Sequence, residues 1–173
     1  AEIRDAVRAG RHVGKQGLVE SMQTMNEAGI AVPNWPVEWG GQDWTPLQKH
    51  IWHEEMQDAC VPPPLAFNAN MIGPVIANFG SEEMKKTYIP RVASGEIQAS
   101  YCLSEADAGS DVASMTTRAV RDGEDYILTG NKVWITNAGI SDVYLVFAKT
   151  DPSAGHRGIT AFLVEKEWCV QVT

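Results

Sequence analysis

The hydrophobic pattern changes period once, near Gly95, and that change constrains the architecture more than any other feature of the 173-residue chain. Upstream, apolar residues recur at helical spacing. Val19, Met22 and Met25 mark one helical face, with Gly29 placed as its stop. Ile3 and Val7, four apart in residues 2–8, give a weaker signal of the same kind. Residues 32–41 (VPNWPVEWGG) cannot be regular helix, because two prolines and two glycines interrupt them. The next helix has a defined start: Thr45 as N-cap, Pro46 at the first helical position and Gln48 completing a capping box. Pro62-Pro63-Pro64 ends it. Residues 65–79 are apolar nearly all round, which predicts a buried helix disturbed near Pro74. Ser81 caps a further helix, with Glu82 and Glu83 in its first turn, a bend or restart at Pro90 and an end by Gly95.

From Ile97 the alternation predicts strands over 97–102, 116–120, 125–129, 132–136, 142–149 and 158–164. Asp122-Gly123 and Gly130-Asn131 are the turn signals among them. Helices first and strands second predict an α+β fold: an all-α domain over 1–95 and an antiparallel sheet or barrel over 96–173. The chain stops soon after its last strand without a closing element, so it is expected to be the front part of a longer polypeptide.

Composition removes several functions. With a net charge of −8 and 14 scattered basic residues, a general nucleic-acid role is excluded. A local phosphate site built from backbone amides is not. Cys60, Cys102 and Cys169 are odd in number and widely spaced, neither a C-x-x-C pair nor a zinc pattern, which points to structural thiols in a reducing compartment. His50 and His53 lack a third ligand, so no metal is expected. No apolar run approaches the ~18 residues of a membrane span, and the N-terminus has no signal-peptide core. A soluble intracellular protein is expected, and a chain trimmed of a targeting segment would read the same.

Two segments carry chemistry. The first is YCLSEADAGSD, 101–111; the second is Trp134-Ile135-Thr136-Asn137. Small residues, hydroxyls, backbone amides and one rigid indole suit a flat heteroaromatic cofactor with an anionic tail. Taken alone, residues 105–111 read first as a capped loop between strands, and only the Trp134 motif and the helical half turn the balance. Other features have plainer explanations. Trp35, Trp39, Trp44 and Trp52 read as packing residues, and adjacent Glu54 and Glu55 diverge by about 100° on a helix as a solvated face. Asn68, Met71 and Ile72 fit an acyl tunnel or a plain core helix, and His156-Arg157 falls in a loop without an assigned role.

The ordered set of W-P-V-E-W-G-G at 35–41, the 101–111 segment and W-I-T-N at 134–137 resembles the acyl-CoA dehydrogenase family, over nearly the whole chain. The 35–41 loop with Trp44-Thr45-Pro46 is most similar to bacterial members, including those acting on longer or bulkier acyl groups. The resemblance implies FAD as cofactor, held by Tyr101, Cys102, Leu103, Ser104, Gly109, Ser110, Trp134, Ile135 and Thr136. Tyr101, Leu103 and Ser104 are expected to line the isoalloxazine, and Gly109 to let the backbone approach closely. Ser110 is expected where the pyrophosphate meets the CoA arm, and so also to bind substrate. Trp134 is expected to cover one flavin face and Thr136 to bond near N5, where a donor stabilises the reduced ring. One departure stands out: Ala106 follows Ser104-Glu105 where many members have proline.

The implied reaction is α,β-dehydrogenation of an acyl-CoA thioester, with electrons passed to an electron-transfer flavoprotein. A homo-oligomer, dimer or tetramer, is implied, located in a bacterial cytoplasm or a mitochondrial matrix. The family's glutamate base belongs to a C-terminal helical domain, so the catalytic base is expected outside this chain and no residue is nominated. Weak or absent turnover is expected of these residues alone. Two alternatives remain: a related oxidase acting on acyl-CoA or nitroalkanes, and a non-catalytic subunit of a hetero-oligomeric dehydrogenase. A structural module that binds no flavin is a third.

Overall fold

Thr45 heads its helix as its sequence requires. The Thr45 Oγ1 accepts from the Gln48 amide at 3.3 Å, and Gln48 Oε1 accepts from the Thr45 amide at 2.9 Å. This closed capping box, with Pro46 in the first turn, starts α3 (Pro46–Asp58). Ser81 likewise accepts from the Met84 amide at 3.2 Å and starts α5 (Glu82–Ser94), which ends at Gly95 in the left-handed conformation, φ 74°. The remaining helices are α1 (Glu2–Arg8), α2 (Lys15–Glu27) and α4 (Gly73–Phe79). The structure, a computed structural model, describes residues 2–168 and 170–172; Cys169 lies outside the described residues.

The chain forms two compact units, Ala1–Gln98 and Ala99–Thr173. In the first, Met22, Ile72, Ile76, Ile89 and Val92 are almost wholly buried. Each such side chain contributes about 1.5–3 kcal/mol relative to exposure. The segment expected as one disturbed helix is a π-helix, Phe67–Ile72, running into α4. Its polar groups are bonded across the unit: Asn68 Nδ2 donates to Val92 O at 3.0 Å and to Ile97 O at 2.8 Å, and Trp35 Nε1 donates to Ala69 O at 2.6 Å. Pro74 sits in the first turn of α4, where the π-helix passes into it. Pro90 does not restart α5; the helix runs through it, fastened on both sides by buried Ile89, Val92 and Ala93.

The second unit is a five-stranded sheet, made of β1 (Ala99–Cys102), β2 (Arg118–Asp122), β3 (Asp125–Thr129), β4 (Val143–Lys149) and β5 (Ile159–Glu165). β4 is its hub, paired parallel to β1 and β2 and antiparallel to β5. Its run Val143-Tyr144-Leu145-Val146-Phe147-Ala148 reads as the continuous apolar sequence of a strand flanked on both sides. Two of the pairings are therefore parallel, and the sheet is mixed where alternation suggested an antiparallel one. β2 and β3 form the hairpin expected at Asp122-Gly123, with Gly123 at φ 63°.

Residues 132–136 are not a strand. Trp134 and Asn137 have positive φ, 58° and 66°, so the chain turns away from any ladder there. The alternation misleads because Lys132 is drawn inward by charge, not by an apolar face. The β-turn signal at Gly130-Asn131 consequently leads into a loop.

Gly73 is a position only glycine fits. A Cβ there would lie 1.8 Å from Trp35 Cζ2, so the indole lies directly against this backbone. Gly73→Ala should destabilise the protein by about 1–3 kcal/mol in urea unfolding, the usual cost of overpacking. An unchanged midpoint would contradict this contact.

Candidate functional site

β1 ends at Cys102 and delivers Leu103 and Ser104 to a tight turn. Glu105 N donates to Ala108 O at 3.1 Å and Ala108 N returns the bond to Glu105 O at 3.2 Å. Ala106 and Asp107 form its exposed tip. The reciprocal pair closes the turn without a proline at position 106.

The Glu105 carboxylate points inward and is buried. It accepts from Thr116 N at 2.6 Å, Thr116 Oγ1 at 2.8 Å, Thr117 N at 3.0 Å, Thr117 Oγ1, and Lys132 Nζ at 2.8 Å. Burial by itself raises a carboxyl pKa, but the hydrogen bonds from Lys132, Thr117 and Thr116 outweigh it and hold Glu105 well below the usual carboxylate range. Lys132 Nζ also donates to Leu103 O at 3.0 Å. Next to it, Val133 N donates to Ser104 O at 3.0 Å. These bonds join the 101–111 segment to the loop that carries Trp134.

That loop is also fixed from below. The Ser100 hydroxyl of β1 donates to Thr136 O at 2.8 Å, and the Tyr144 hydroxyl of β4 donates to Ala138 O at 2.7 Å. Trp134 projects from it 92% exposed, in the left-handed backbone conformation that a bulky residue rarely adopts. Among the described residues, the hydroxyls of Ser104, Ser110 and Thr136 have no protein partner.

The structure thus brings the two sequence-predicted segments side by side. Ser104 and Leu103 are half-buried beside Lys132 and Val133; Gly109 and Ser110 are exposed, as are Trp134 and Thr136; Ile135 is half-buried. A Cβ built on Gly109 meets nothing within 4 Å, so open space adjoins that backbone. Tyr101 and Cys102 lie within the sheet instead. The Tyr101 ring stacks obliquely on Phe147 at 4.9 Å, and burial raises its phenol pKa. Burial pushes the Cys102 thiol up to about 11, against the lowering effect of Lys132, leaving a protonated structural thiol.

Sequence reasoning missed Lys132, Thr116, Thr117, Ser100 and Ser141. Glu105 and Lys132 are 27 residues apart, and no local periodicity links them. A charged residue inside an apparent strand was the available signal. His156 and Arg157 lie exposed in the short 3₁₀ segment Pro152–Gly158 between β4 and β5. Among the described residues no group of three or more His, Cys, Asp and Glu side chains gathers for a metal, and no helix is long and apolar enough to cross a membrane.

Residues 1–96 match the family profile described as acyl-CoA dehydrogenase, N-terminal domain, and residues 100–170 match the middle domain. The probable acyl-CoA dehydrogenase FadE25 of Mycobacterium leprae is 43% identical over 149 residues, 86% of this chain and 38% of FadE25. Among solved structures, the Tcur3481-Tcur3483 steroid ACAD aligns with TM-score 0.78 at 33% identity, over 96% of this chain and 47% of that one. The FAD complex of PigA aligns with TM-score 0.74 at 27% identity, over 94% of this chain and 43% of that one. The chain spans less than half the length of each of these proteins.

The buried pair sets two expectations. Glu105→Gln leaves Lys132 without its counter-charge and should cost about 3–5 kcal/mol at pH 7 in urea unfolding. Folding lowers the Glu105 pKa, so this contribution is present above the ordinary carboxylate value, near pH ~4.3, and is lost as pH falls below it toward the folded value. The gap between wild type and variant should therefore be constant from pH 8 to 5 and narrow progressively in acid; a gap undiminished at pH 3 would refute the assignment. In native protein near pH 7, Cys102 should resist iodoacetamide while half-buried Cys60 is modified, as read by peptide mass spectrometry; rapid Cys102 alkylation would contradict its burial.

Proposed function

The chain belongs to the acyl-CoA dehydrogenase family, and from that premise we propose that its second unit holds FAD between the 101–110 and 134–136 segments. The observation that carries the reading is Trp134. A large indole is held almost fully exposed on a left-handed backbone, at a cost of about 1–3 kcal/mol, in a loop anchored by buried polar groups. Such strain on a fixed platform is expected where a flat ligand covers the ring.

The neighbouring groups fit the cofactor. The unpartnered hydroxyls of Ser104 and Thr136 suit the polar edge of an isoalloxazine, with Leu103, Ile135 and the Tyr101–Cys102 strand end as backing. The open space at Gly109, with the Ser110 hydroxyl beside it, suits the pyrophosphate and the CoA arm of a thioester substrate. FAD, when bound, supplies a two-electron acceptor for hydride leaving the β-carbon of an acyl-CoA. The role of this chain is to orient that acceptor and to present donors where reduction places charge.

On this reading the base comes from elsewhere. Glu105 is the buried carboxylate beside these segments, and its five donors, with the lowered pKa, make it a poor proton acceptor. We assign the α-proton to a glutamate outside these residues, electrons onward to an electron-transfer flavoprotein, and the assembly to a homo-oligomer of dimer or tetramer size. The double name of the steroid ACAD neighbour supports a second reading, in which this chain is one subunit of a hetero-oligomeric dehydrogenase.

Titration of the protein with FAD, followed by flavin fluorescence, should give saturable binding at one site per chain. Gly109→Val should leave thermal unfolding unchanged and weaken FAD at least about tenfold, or ~1.4 kcal/mol. Absence of saturable FAD binding would overturn the reading. Rapid reoxidation of the reduced bound flavin by oxygen would instead move it to the oxidase branch.

A further inference from the structure

Three consecutive carbonyls of the loop after Trp134 are met by buried hydroxyls. Ser100, Ser141 and Tyr144 are 0%, 0% and 1% exposed, and a buried hydroxyl is tolerated only when its hydrogen bonds are made. Ser100 Oγ lies 2.8 Å from Thr136 O and 2.7 Å from Ser141 Oγ; Ser141 Oγ lies 3.0 Å from Asn137 O; Tyr144 OH lies 2.7 Å from Ala138 O.

The two serines share three contacts but own only two hydroxyl protons. Asn137 O already accepts from the amides of Ile140 and Ser141, both at 2.9 Å. Among the described residues, Thr136 O has no donor other than Ser100. The assignment that leaves nothing unsatisfied therefore runs from Ser141 to Ser100 to Thr136 O. Hydrogen bonds in such a chain polarise one another.

The peptide that receives this chain joins Thr136 to Asn137. No peptide here is cis, so the Asn137 N–H points opposite to the Thr136 carbonyl, away from the buried serines. Among the described residues that N–H has no partner. Tyr144 fixes the carbonyl of Ala138, two residues further along the same turn. We propose that Ser100, Ser141 and Tyr144 are positioning residues that aim and polarise the Thr136–Asn137 peptide, so that it stabilises a reduced, electron-rich flavin ring more than an oxidised one. This rests on the flavin reading above and adds to it a set of residues that touch no cofactor.

The test compares oxidised FAD with dithionite-reduced FAD under anaerobic conditions, as the ratio of their dissociation constants. Ser100→Ala removes the proton that ends on Thr136 O. Tyr144→Phe keeps the ring packing and removes the bond to Ala138 O and the longer one, 3.4 Å, to Ser141 O, so it serves if Ser100→Ala does not fold. In each soluble variant the preference for reduced flavin should fall about fivefold, ~1 kcal/mol, with oxidised FAD bound nearly as in wild type. The Asn137 amide proton resonance should move upfield in Ser100→Ala even without FAD. A ratio equal to wild type, with both forms bound equally well or weakened in parallel, would mean that the hydroxyls serve only the fold and would overturn the inference while leaving the flavin site standing. Failure of the wild-type protein to bind FAD would sink both.

Discussion

The buried ion pair of Glu105 and Lys132 is the constraint from which the second unit's functional face follows. Desolvating two charges costs several kcal/mol each, and a single Coulombic contact does not reliably offset it. Here the carboxylate is met by two threonine amides and two threonine hydroxyls as well as the ammonium. Lys132 has a second anchor in Leu103 O. The pair therefore fixes backbone on both sides of itself: the turn after β1 on one side and the start of the Trp134 loop on the other. An apolar pair of similar volume would bury as well, but it would specify neither the donor directions nor the register of the two segments.

From that clamp outward, each feature answers to the one beneath it. The loop leaves Val133 bonded to Ser104 O and turns through left-handed Trp134 and Asn137. Its carbonyls are then taken up by the hydroxyls of Ser100, Ser141 and Tyr144, while Trp134 and Thr136 are exposed and the Asn137 N–H points away from the serines. Polar groups are thus satisfied on the buried side and free on the outer side. This division suits a binding surface, because free donors on fixed backbone lose little entropy when a ligand engages them. On the function proposed above, that surface holds FAD.

Much of this was legible in the residues alone. Helix starts at Thr45 and Ser81 are local chemistry, decided within four residues, and the structure forms both caps. The division into helices and then strands follows from hydrophobic period, which depends only on which face is covered. Parallel pairing of β4 with β1 and β2 was not legible, because strand direction depends on connections rather than alternation. The run 132–136 was misread for a related reason: Lys132 occupies an inward position through charge, and its partner is distant in sequence. The segments carrying Ser104, Glu105 and Trp134 stand out in the sequence; the partners that hold them, Lys132, Thr116, Thr117, Ser100 and Ser141, do not. Buried polar networks join residues far apart in sequence, and no periodicity reports them.

The central claim is that the clamped segments form one cofactor surface. It is tested most directly by amide chemical-shift mapping of the ¹⁵N-labelled protein during FAD addition. The account predicts that the perturbed amides cluster at residues 103–110 and 133–139 and move together with one dissociation constant. Shifts confined to only one of these segments, or centred on the helical unit, would contradict it.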